Sequence, residues 1–225
     1  MSQLNLFENH KLILSLYDYT GKWAQPYIDT GYAVMLWDKK IEGDILEGFS
    51  YLLMQIEEAM ESGYIPYGIL AAPPCTDFSG SGARWWSEKD KPKPGYEPFD
   101  HETELSEALV LIVLHLVDIY KETLKFWVLE NPKGRIERLV PELVFYRRMK
   151  FNPCDFGDPY TKETILWGEF NTNLRRTPVE PVMYELNGKK GSWMWAKLGG
   201  KSEKTKALRS ATPAGFANAF YNANK

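Results

Sequence analysis

The sequence holds only two cysteines, Cys75 and Cys154, in 225 residues. Two thiols build no disulfide framework and fit a reducing compartment. Histidine is as scarce: His10, His101 and His115 lie far apart. Neither residue type clusters as metal ligation requires, so no metal site is expected. Long apolar runs are missing too. The run "ALVLIVLHLV" falls well short of the ~20 residues of a membrane helix and reads as a buried helix segment, so no membrane contact is expected. The start, "MSQLNLFENHKLILSLYDYTG", carries two acids and breaks at Gly21, unlike a secretory signal. Repeats and low-complexity tracts are absent. The net charge of −3 does not advertise nucleic-acid binding by the chain as a whole.

What is present is ordinary apolar content, 44%, and an uneven distribution of charge. From Leu186 to Lys225 there are eight Lys or Arg against one acid, Glu203, a local footprint of the kind phosphates attract. The length suits one domain, or one domain with a small appended lobe. "LILSLY", "YAVMLW", "YGILAAP", "KFWVLEN" and "TILWGEF" read as strands. "WAQPYIDTG", "EGFSYLLMQIEEAMESG", "HETELSEALVLIVLHLVDIYKETL" and "TPAGFANAFYNAN" read as helices, the last with Pro213 near its first turn. Residues 79–101 read as a long loop. Apolar strands alternating with helices predict an α/β fold with a mostly parallel, Rossmann-like sheet. The expected organisation is a catalytic and cofactor-binding domain over 1–170, a small irregular lobe over 171–208, and a C-terminal helix, 209–225, returning to the first domain.

In such a sheet, ligands bind at the carboxyl ends of the strands. The residues leaving those ends are Asp18 to Gly21, Asp38, Pro73 to Ser79, and Glu130 to Pro132. Cys75 and Glu130 therefore share one rim. A thiolate and a carboxyl there suit pyrimidine chemistry. Addition of a thiolate to C6 turns C5 into an enamine-like carbon able to attack a sulfonium methyl. A glutamate of raised pKa can serve N3, where charge otherwise builds. A lone cysteine after a strand is more often an inert buried thiol, so it is the pairing that carries the reading. A protease-like dyad has only His101 near Cys75 in sequence, and Cys154 reads as structural.

The motifs carry a resemblance. "AAPPCTDFSGSG" resembles the Pro-Cys motif of cytosine-C5 DNA methyltransferases, and "LENPKGRI" is similar to their Glu-Asn-Val motif. "LSLYDYTGKW", "GYAVMLWD", "GDI", "FGDPYTKETILWG" and "RSATPAGFANAF" resemble further family segments, in family order from residue 12 to 222. The resemblance is to compact, phage-encoded members, which implies a phage or prophage origin and the cytoplasm of a bacterial host. It implies a class I methyltransferase fold, S-adenosylmethionine as cofactor, and double-stranded DNA as partner, bound by a monomer. Cys75 would be the nucleophile, Glu130 the N3 partner, and Lys162 a cation beside the base. Asp38 would hold the ribose hydroxyls and Asp44 the adenine amine. Tyr17, Asp18, Gly21, Trp23, Pro73 and Arg209 complete the implied cofactor set. Ser79, Arg84 and Trp85 in a closing lid of residues 79–100 would meet DNA, whose target base the family flips out. Lys189 and Lys190 would meet it from the lobe, with Arg175, Trp193 and Trp195 as further candidates for base readout.

The chain departs from the family pattern at four places. Tyr19 stands for the first glycine of the cofactor turn, and Pro132 for the valine after Glu-Asn. Lys162 and Thr164 stand for two arginines, and Arg209 for the start of a Gly-Asn pair. A cation at Arg209 near the transferred group would disfavour a sulfonium unless an anion intervened, which opens a second route with a carboxylated donor and a carboxymethyl product. The same scaffold also suits an RNA cytosine methyltransferase or an inactive DNA-binding relative, since fold does not fix substrate.

Overall fold

The computed structural model describes residues 10–186, 188–194 and 202–225. Six strands form one sheet in the order β2-β1-β3-β4-β6-β5. They are β1 (His10–Leu16), β2 (Ala33–Trp37), β3 (Tyr64–Ala71), β4 (Phe126–Pro132), β5 (Arg147–Phe151) and β6 (Thr164–Glu169). The first four are parallel. β6 runs antiparallel to both β4 and β5. The α/β expectation and the mostly parallel sheet are met.

The period-2 alternation of side chains explains the layers. Leu12, Leu14, Leu16, Ile69, Ala71, Trp127 and Leu129 join one core with residues of α2 (Ile45–Glu61) and α4 (Glu102–Tyr120). Ile13, Leu70, Phe126, Val128 and Leu166 join the other, with Tyr27 of α1 (Gln25–Ile28) and Phe216 and Phe220 of α7 (Ala214–Ala223). Both faces are covered, which is why these strands read as unbroken apolar runs. α4 is capped by His101, whose Nδ1 accepts from the Glu104 backbone N–H at 3.1 Å, and its first turn is acidic.

Several local expectations shift. The loop over 79–101 contains a 3-10 turn, Gly80–Trp85, followed by α3 (Trp86–Lys89). α5 (Ile136–Leu139) and edge strand β5 were not anticipated. The lobe holds a hairpin of β7 (Met183–Leu186) and β8 (Lys189–Ser192), then α6 (Glu203–Ser210), rather than irregular chain alone. Pro213 is the N-cap of α7. The chain passes from β1 to β2 on one side and returns to β3 on the other, so the strand order reverses between β1 and β3. In α/β sheets a ligand crevice opens at such a reversal, at the carboxyl ends of the strands. Among the described residues, no helix is long and apolar enough to cross a membrane.

Candidate active site

Cys75 sits four residues beyond the end of β3, after buried Pro73 and exposed Pro74. Prolines have fixed φ and no N–H to offer a ladder, so the chain leaves the sheet here. It then turns tightly, the Cys75 carbonyl accepting from the N–H groups of Phe78 (3.2 Å) and Ser79 (2.8 Å). The turn is tied to β4, because Asn131 Nδ2 donates to the Pro73 carbonyl at 2.9 Å. Glu130 lies within β4 rather than beyond it, opposite Leu166 of β6. Its Oε2 is out of contact with solvent and has no hydrogen-bond partner among the described residues. The same holds for Asn131 Oδ1. Unpaired buried polar atoms are costly, and these two are neighbours on one strand. A narrow cleft beside Glu130 is walled by Lys162, Thr164, Phe151, Thr212 and Phe216.

The charges around the thiol oppose one another. Burial pushes the Cys75 thiol up, Lys162 and Arg209 pull it down, and Glu130 adds to the rise. Burial likewise raises the Glu130 carboxyl, Lys162 partly offsetting it and Asp18 adding to it. Cys75 therefore lies within electrostatic reach of Glu130, Lys162 and Arg209, and Glu130 within reach of Lys162. Lys162 Nζ also reaches the Arg209 carbonyl, at 3.5 Å. A carboxyl whose neutral form burial favours, near a thiol and a lysine, can pair a hydrogen-bond donor with a nucleophile. His101 caps α4 and His115 rests near the ring of Phe49, so neither is the base of a dyad. Among the described residues, no three His, Cys, Asp or Glu side chains converge to hold a metal.

The implied cofactor residues gather at the β1–β2 end of the rim, but not all face outward. Tyr17 follows β1 in a left-handed conformation, φ 62°, uncommon and strained for a residue with a side chain. Its hydroxyl donates to the Leu109 carbonyl at 2.8 Å. Gly21 closes the same turn at φ 64°, where glycine is the residue that fits, and its N–H donates to the Asp18 carbonyl. Asp18 is buried and spent on the turn, accepting from Ser15 Oγ, Thr20 Oγ1 and the Trp23 N–H. Trp23 thus serves the turn through its backbone. Its ring is fully buried against Phe216 and Phe220, because α7 packs over it. Asp38 accepts one bond, from the Lys40 N–H, leaving its second oxygen unpartnered among the described residues. Asp44 caps α2 through the Leu46 N–H and pairs with Lys39. Arg209 lies on α6, which crosses from Lys40, paired with Glu203 at 2.8 Å, to Lys162.

Of the implied nucleic-acid residues, Arg84 and Trp85 are exposed, the guanidinium resting 5.2 Å from the ring centre. Ser79 is buried, bridged to Gly134 and bonded to Ser81, so it faces the loop's interior. The first half of the expected lid is fastened rather than free, since Asp77 pairs with Lys89 and Asp90 with Arg135. Lys190 is exposed on β8, which begins at Lys189, and Arg175 is exposed as well. Trp193 packs edge-on against buried Tyr160. Trp195 lies outside the described residues. Tyr160 escaped the sequence reading. It is buried close enough to Glu130 to feel its charge, and its only signal was its place in "FGDPYTKET". No protein-family model and no curated protein matches the chain.

Proposed function

We propose that the protein is a cytosine-C5 DNA methyltransferase acting through a covalent Cys75 adduct. One observation carries the reading: Cys75, Lys162 and a carboxyl with a buried, unpartnered oxygen, Glu130, occupy one site at the carboxyl ends of β3 and β4. The thiolate of Cys75 forms a bond to C6 while neutral Glu130 gives a hydrogen bond or proton to N3. Lys162 steadies the thiolate and the charge that builds on the ring. C5 becomes nucleophilic and would take the methyl carbon of the donor sulfonium, whose sulfur–carbon bond breaks to leave a neutral thioether. Loss of the C5 proton to water then drives the sulfur off C6 as thiolate, and Glu130 recovers its proton from N3. Burial of Glu130 raises its carboxyl and so favours the protonated form that can donate.

The rim carries residues able to hold S-adenosylmethionine. The strained Tyr17–Gly21 turn lies at the β1 end of the rim, and Asp38 keeps an oxygen unpartnered among the described residues, available to a ribose hydroxyl. When bound, the cofactor supplies an electrophilic methyl group. Tyr17, Gly21 and Asp38 are the residues that would hold it. Asp44 would reach it only by sharing its cap and ion pair.

A second reading follows from Arg209, whose charge reaches the thiol. A cation there favours a donor carrying a carboxylate, with carboxymethylcytosine as product. Incubating the protein and duplex DNA with S-adenosylmethionine or its carboxylated analogue, then weighing the nucleosides, separates the two. 5-Methylcytosine alone supports the first reading. Carboxymethylcytosine, formed in preference, supports the second. Modified RNA without modified DNA moves the substrate to RNA. No modified base on either nucleic acid, with binding retained, means an inactive relative.

A further inference from the structure

Arg135 follows the "LENPKG" segment and joins the two halves of the site. It is buried, its side chain 3% exposed. Every nitrogen of the guanidinium is engaged. Nε donates to the Asp77 carbonyl at 2.8 Å, and the two terminal nitrogens grip the Asp90 carboxylate at 2.6 and 2.8 Å. One of them also reaches Thr103 Oγ1 at 3.0 Å, and Trp86 covers the group 4.6 Å from its ring centre. The Arg135 backbone N–H donates to the Phe78 carbonyl at 2.8 Å. One residue from the β4 exit thus binds both ends of the segment following Cys75: residues 77 and 78, and residue 90. A forked, planar cation can do this where a point charge cannot.

We infer that Arg135 is a positioning residue, which holds the Cys75 turn against β4 and so sets how far the thiol is withdrawn from water. The inference rests on Cys75 as the reacting atom, and it predicts a property of Cys75 that needs no nucleic acid. Burial dominates the rise of the Cys75 thiol, so loosening the turn hydrates the thiol and increases its ionised fraction. Alkylation by iodoacetamide follows the thiolate, and gains about tenfold below the thiol's pKa for each unit that pKa falls.

The test uses the full chain with Cys154→Ser, so that Cys75 alone is labelled. Iodoacetamide labelling is followed from pH 6 to 10 in this parent, in Arg135→Lys and in Arg135→Gln. Asp90→Asn loosens the same fork from its exposed side and serves if the Arg135 variants do not fold. Melting curves establish that each variant is folded. The expected result is a midpoint moved to lower pH, further for Gln than for Lys, together with slower capture of a 5-fluorocytosine duplex at unchanged DNA affinity. Labelling profiles that superimpose on the parent in folded variants overturn the inference. A shifted profile in a protein that never captures the duplex leaves the clamp standing and removes the methyltransferase reading. A capturing parent with unshifted variants removes the clamp alone.

Discussion

Glu130→Gln should stabilise the fold while it disables the site. Oε2 of Glu130 is buried and has no partner among the described residues, so ionising this carboxyl as pH rises would bury an uncompensated charge. An unsatisfied buried polar group costs about 1–3 kcal/mol and a charged one more, so the excess due to charge is on the order of 1 kcal/mol or above. Glutamine keeps the shape and removes the charge. In a domain of this size each kcal/mol moves the melting midpoint by roughly 2–4 °C. The sign depends on pH. The carboxyl is raised in the folded state, so its favourable contribution is complete below its ordinary pKa and is lost as pH rises through the folded value. Parent and variant should therefore melt together near pH 4 and separate towards pH 8, the variant higher by a few degrees. Differential scanning calorimetry across that range, with capture of a 5-fluorocytosine duplex measured on the same samples, provides the check. A gap that is flat with pH, or a variant that melts lower at pH 8, would refute the buried-charge argument.

Three more outcomes are expected. Lys162→Gln removes the largest influence holding the Cys75 thiol down, so its iodoacetamide labelling midpoint should rise in a Cys154→Ser background; a fall would contradict the arrangement. Gly134→Ala puts a Cβ into the Phe78 carbonyl and forces the Cys75 turn away from β4. It should cost about 1–3 kcal/mol or more in urea unfolding, and a displacement near 1 Å should slow capture by roughly 10²-fold; an unchanged capture rate would mean that the turn does not set the thiol. Trp85→Ala should leave the melting midpoint unchanged and weaken DNA binding by about tenfold, as loss of one stacked base would. Unchanged affinity in a fluorescence titration would take Trp85 out of the interface.

The strands that build the rim were legible because the sheet is buried on both faces. β1, β3 and β4 therefore read as apolar runs, and the strand-end rule brought Cys75 and Glu130 together without a contact to guide it. What could not be read depended on partners distant in sequence. Trp23 looked like a rim residue, yet its surroundings come from Phe216 and Phe220. The order in the segment 77–90 comes from Arg135, 45 residues beyond Asp90. β5, "RRMKF", is an edge strand whose charges conceal a strand's alternation. α6 has no buried residue, so no apolar stripe announced it. The Asp18 carboxylate looked available on the rim and is spent on three local donors.

The most direct test of Cys75 as a nucleophile towards cytosine is mass analysis of the protein after incubation with S-adenosylmethionine and duplex DNA carrying 5-fluorocytosine. Fluorine in place of the C5 proton prevents release of the sulfur. The account predicts a denaturation-resistant adduct on the peptide containing Cys75, absent from Cys75→Ala and slowed in Glu130→Gln. An adduct on Cys154, or a modified cytosine formed by Cys75→Ala, would contradict it.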